Sequence, residues 1–165
     1  MLKPMLIGLT ALTVLPAAAQ LSQHAELTLA VANRLASGAI DACQSKGRAI
    51  AVTVLDHGGQ ILVIQRAASV GPHNVEAARR KAYTALSTRT ATLELARQAD
   101  ANPDARNLNT LPELLLLGGG VPLLVHGQPV GAIGVAGGGG ALNDHACALA
   151  ASALLPTPTV VPATH

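Results

Sequence analysis

This chain has to close its core without large aromatic side chains. Its 165 residues contain no Phe, no Trp and a single Tyr, Tyr83, while half of them are hydrophobic. The interior must therefore be assembled from Leu, Val, Ile and Ala. Each of these buries less area than an aromatic ring, so stability has to come from many close contacts between helices and sheet.

The same composition excludes some functions. Eleven Lys/Arg against nine Asp/Glu leave no basic footprint for nucleic acid, and one tyrosine makes no base-stacking platform. Residues 1–19, "MLKPMLIGLTALTVLPAAA", combine Lys3, an apolar stretch from Met5 to Leu15 and Ala17-Ala18-Ala19. That is the pattern of a signal peptide, and the apolar stretch is too short to span a bilayer, which takes about 20 residues. The expectation is an exported, periplasmic or secreted protein that begins near Gln20, with no membrane span in the mature chain. Its domain covers residues 20–154, and "LPTPTVVPATH" (155–165) is a proline-punctuated tail.

Periodicity predicts a helix over His24–Gly47, where Leu27, Val31, Leu35, Ile40 and Cys43 recur near helical spacing. "AIAVTVLDHGGQILVIQR" reads as a hairpin turning at Asp56-His57-Gly58-Gly59. A helix follows from Val75 to about Ala96, with a break near Ser87 to Thr90, and then a turn-rich loop, "DANPDARNLNT". "ELLLLG", "PLLVHG" and "PVGAIGVAG" read as three more strands, the last two joined by His126-Gly127-Gln128-Pro129, before a final helix near Leu142–Leu154. Hairpin-joined strands imply a largely antiparallel sheet, and so an α+β fold.

"GPHNVEAARRKAYTA" (71–85) is the segment with most chemistry. Asn74 reads as a helix N-cap with Glu76 in the first turn. That account leaves His73 without a role. Free backbone N–H groups at a helix start suit a carboxylate, with Arg79, Arg80 or Lys81 adding charge. Residues one or two apart do not share a helix face, so at most one or two of these cations can help. His73, Asn74, Arg80 and Lys81 are therefore the candidate ligand-binding residues, for an acidic group on the ligand.

Four segments in this order carry a resemblance: "VTVLDHGGQILVIQR", "GPHNVEAARRKAYTA", "LGGGVPLLVHGQPVGAIGVAGG" and "NDHACALAA". Together they resemble the HbpS-like group, also called GlcG-like, which includes the C-terminal domain of a cobalamin adenosyltransferase type. The resemblance covers roughly Leu27 to Ala151. It implies profilin-like α/β/α layers around a five-stranded, largely antiparallel sheet, a homo-oligomer, and haem as cofactor, with haem degradation known among members. Haem on this chain would rest on Leu, Val and Ile surfaces. His24, ahead of the first helix, is the candidate axial ligand, since a neutral imidazole commonly ligates haem iron. In such layers the two terminal helices share a sheet face, which would let Cys43 and Cys147 form a disulfide in an oxidising compartment.

Other chemistries find little support. His145 and Cys147 are two apart and leave a helix on different faces, so they make a poor metal pair; Asn143 or Asp144 reads as an N-cap instead. Neither glycine run is followed by Lys-Ser/Thr, and no serine lies in an elbow motif, so no catalytic constellation is evident. The leading expectation is an exported, homo-oligomeric haem or tetrapyrrole binder. The alternatives are an enzyme or accessory protein for a small hydroxy acid such as glycolate, and a non-catalytic oligomeric scaffold.

Overall fold

The computed structural model describes residues 25–156; residues 1–24, with the expected leader and His24, and residues 157–165 lie outside them. Helix α1 (Leu29–Gln44) opens where Thr28 Oγ1 accepts from the N–H of Val31. Residues 25–28 are not helical, so the helix starts later than periodicity predicts, at a side-chain cap. Its buried stripe is Ala32, Leu35, Ala36, Ala39 and Cys43.

Strands β1 (Ala51–Asp56) and β2 (Ile61–Arg66) form the expected hairpin. Its turn is locked by Asp56, whose Oδ1 accepts from Gly58 and Gln60 N–H groups, each at 2.8 Å. Helices α2 (His73–Thr88) and α3 (Thr92–Ala101) divide at Arg89, which is left-handed at φ 52°. The loop expected over "DANPDARNLNT" is largely a 3-10 helix, Pro103–Thr110, after Asn102 Oδ1 accepts from Asp104 N–H. Strands β3 (Gly120–Val125) and β4 (Gln128–Ala136) meet at His126-Gly127, both with positive φ. That mirror-image turn matches the strand twist. Helix α4 (Ala141–Ser152) closes the order.

The sheet is fully antiparallel, in order β2-β1-β4-β3. Its central strands are buried on both faces, whereas the edge strands are partly open. On one face α1 and α4 cover Val52, Val54, Ile133 and Val135. On the other, α2 covers Ala51, Leu55, Ala132 and Ala136. The result is three layers around four strands, not five.

The missing strand is "ELLLLG". Leu115 N–H donates to Thr84 Oγ1, Arg80 Nη2 donates to Leu114 O, and Thr92 Oγ1 donates to Leu117 O. Side chains of α2 and α3 take the backbone groups that a strand would have offered to a neighbour. An apolar run alone does not distinguish these two outcomes.

Small residues solve the problem that the missing aromatics set. A Cβ on Gly134 would overlap the Ala78 carbonyl oxygen, and one on Gly120 would overlap that of Lys81. Helix α2 thus rests its backbone on the sheet through Ala78, Ala82 and Ala85. Close approach gathers many dispersion contacts from little side-chain volume.

Candidate ligand site at one end of the sheet

The antiparallel order puts the start of β1, the end of β2, the end of β4 and the start of β3 at one end of the molecule. The C-terminal turn of α1, the N-terminus of α2 and the glycine loop 137–140 gather there. Gly137, at φ 97°, lies against Val70 and Asn74; Gly139, at φ 85°, lies under the Arg48 guanidinium. Only glycine allows this loop its positive φ values and its close neighbours.

His73 is exposed at this end, its ring beside Gly71, as the first residue of α2. Asn74 is not the N-cap. Pro72, already in the right-handed helical region at φ −61°, holds the cap position without a side-chain bond, and Asn74 Nδ2 donates back to Gly71 O at 3.1 Å. Proline pre-sets the helical φ, so the helix begins two residues earlier than a cap at Asn74 would place it. The cap expected of Asn143 or Asp144 is likewise displaced: α4 begins after Gly140, and Asp144 lies within its first turn.

The two cations grouped with His73 go elsewhere. Arg80 Nη2 bonds the Leu114 carbonyl, while its buried Nε has no partner among the described residues. Lys81 is 1% exposed and reaches through the core to Asp144 Oδ2 at 2.8 Å and Val135 O at 3.1 Å. A ligand at the surface has no access to that ammonium. Asp144 Oδ1 accepts from Gly138 N–H at 2.7 Å, so the pair ties α2, β4, α4 and the glycine loop together. The sequence reading missed this partnership, because the two residues are 63 apart and nothing local links them.

Cys43 and Cys147 are joined, with Cα atoms 5.5 Å apart, and both are fully buried. The disulfide ties α1 to α4 beside Gly138. Its neighbour His145 is partly enclosed, and its Nδ1 has no hydrogen-bond partner among the described residues. Burial, with a smaller contribution from the Arg97 guanidinium, holds its pKa below the ordinary histidine value. Protonation therefore costs more in the folded chain than in the unfolded one. Its contribution to stability is complete above the unfolded value, about 6.5, and is lost as pH falls from there through the lowered folded value. Urea unfolding followed by circular dichroism from about pH 7.5 down to about pH 5 should show the midpoint falling less in His145→Gln than in the unsubstituted protein.

At the surface, Arg79 donates two bonds to Glu76 and so holds the Glu76 carboxyl below its usual range. The pair is solvent-exposed and adds little to stability. Exposed imidazoles also stand at His57 and His126. No group of three or more His, Cys, Asp or Glu among the described residues is placed to hold a metal ion. No helix among them is long and apolar enough to cross a membrane.

Clefts open among the described residues at several places, one of them, of about 240 Å³, beside Ala96, Asp100 and Arg106; two others bear on the site. One, of about 240 Å³, lies between the end of α1 and β2, lined by Ile40, Gln44, Arg48, Ala49, Gln65 and Arg66 among others. The other, of about 350 Å³, lies beside Tyr83, Leu111 and Leu114. Sequence reading singled out neither Arg48 nor Arg66, since both look like ordinary charges at element ends.

This three-layer α+β domain, with one antiparallel sheet and a glycine loop at the end of its last strand, defines a recognisable class. The family described as haem degrading protein HbpS-like matches residues 27–153, and the chain belongs to it. A Citrobacter freundii protein of 15.0 kDa from the dhaT–dhaS intergenic region is 32% identical over 118 residues, covering 70% of this chain and 83% of that one. The crystal structure of a Streptomyces reticuli HbpS double mutant shares 37% identity at a TM-score of 0.77, covering 87% of this chain and 99% of its own. The crystal structure of a PduOC:haem complex shares 26% identity at a TM-score of 0.71, covering 82% and 99%. Both the family and a haem-bound relative of the same fold support haem-related binding.

Proposed function

We propose that this protein binds haem, as an exported homo-oligomer. The observation that carries the reading is the match over nearly the whole domain to an HbpS-like family with a haem-complexed structural relative. The surface chemistry is compatible. Exposed aliphatic side chains stand on more than one face of the domain, Ile61 and Ile64 on β2 and Leu142 and Leu149 on α4, and exposed His73, Arg48 and Arg66 offer polar contacts.

Clefts of about 240 and 350 Å³ lie at the lower end of the range of ligand pockets, roughly 300–1,000 Å³. Haem on this chain would need surface beyond either cleft, which a second copy of the chain would supply. Haem, when bound, would supply the iron; the residues that would hold it are exposed aliphatic side chains, Arg48, Arg66 and His73, with His24 as the candidate iron ligand.

The test is a haemin titration of purified mature protein, followed in the Soret region. A saturable change is expected, His24→Ala should alter its spectrum, and His73→Ala should weaken binding. The folding midpoint of His73→Ala should move by no more than about 0.5 kcal/mol. Absence of any saturable change in the unsubstituted protein would overturn the reading. The same preparation, recovered from the cell envelope, should begin near Gln20.

A further inference from the structure

We infer that the cleft between α1 and β2 is a carboxylate-binding subsite, formed by Arg48 and Arg66. Both arginines line one space of about 240 Å³. The ion pairs among the described residues are Glu76–Arg79 and Lys81–Asp144, so neither arginine has a carboxylate partner there. Two like charges sharing a small cleft without a counter-charge repel one another, and an acidic ligand relieves that repulsion.

Arg66 is also held in place, by the backbone it bonds. Arg66 Nη1 donates to the carbonyls of Ala67, Ala68 and Val70, and no other nitrogen of its fork is engaged among the described residues. The Arg48 guanidinium lies over Gly139, where a side chain would overlap it. Preplaced donors lose less freedom on binding than mobile ones. Ile40, Ile50, Ala49 and Ala67 give the same cleft an apolar wall. A carboxylate on a short aliphatic arm meets both requirements.

Taken with the haem reading, on which this step rests, the arm is a porphyrin propionate. The cleft takes the acidic edge while the ring stays outside. Binding of haemin and of haemin dimethyl ester, in which the propionates carry no charge, should be compared for the unsubstituted protein, Arg48→Gln and Arg66→Gln. Exposed charge pairs are weak singly, so haemin binding is expected to weaken roughly fivefold to tenfold in each variant. Ester binding should stay unchanged, and the unsubstituted protein should prefer haemin to its ester by a similar factor. Circular dichroism controls for folding, chiefly in Arg66→Gln, which loses three backbone bonds. Equal affinity of the unsubstituted protein for haemin and ester would overturn the subsite and leave haem binding standing. Failure to bind either porphyrin would overturn the haem reading, and the propionate assignment with it.

Discussion

Replacing both Cys43 and Cys147 by alanine should lower the unfolding free energy by about 3–5 kcal/mol. The disulfide links residues 104 apart, so it restrains most of the unfolded chain. In the chain-entropy view, closing a loop of about 100 residues contributes about 4.7 kcal/mol. Both sulfurs are fully buried between α1 and α4, so alanine also removes packing there. Urea unfolding read by far-UV circular dichroism is the suitable measurement, because the chain has no tryptophan to report. A loss below about 1 kcal/mol would show that the bridge adds nothing beyond the contacts around it.

Asp144→Asn should cost about 3–5 kcal/mol, although it changes neither size nor shape. Lys81 and Asp144 are 1% and 4% exposed, and each compensates the other's lost hydration. The amide can still accept from Gly138 N–H, but the ammonium beside it is left without a counter-charge in the core. Adding Lys81→Met to Asp144→Asn should recover much of the loss, because it removes the stranded charge. If the double variant is no more stable than Asp144→Asn, then shape and not charge governs this site. The cycle of two single variants and the double measures the coupling directly.

Elements with a local cause were legible in the sequence. The first hairpin turn follows from Asp56 and the glycines after it, and the break between α2 and α3 falls within one residue of the expected stretch. The second hairpin turn was legible in place but not in length: the sequence puts it over His126–Pro129, and the structure turns at His126 and Gly127 alone, with Gln128 and Pro129 already in β4. Features set by distant partners were not legible. The segment 113–118 is apolar enough for a strand, yet Thr84, Arg80 and Thr92 claim its backbone. Lys81 looks like one more cation on a basic helix until α4 brings Asp144 against it. Of the candidate ligand residues, the structure keeps His73 and Asn74 at one end of the sheet, turns Arg80 toward Leu114, and buries Lys81. His24 lies outside the described residues.

Because α2 is seated on Gly134 and Gly120 by its backbone, it is indexed to the sheet much as a ratchet tooth is to its notch. Sliding by one residue would drive Ala78 and Ala82 off Gly134 and the Lys81 backbone off Gly120. The helix is therefore a poor hinge, and amide exchange along its buried face should be among the slowest in the protein. Any adjustment that admits a ligand at its N-terminal end falls to the segments that flank it, residues 67–71 and the glycine loop.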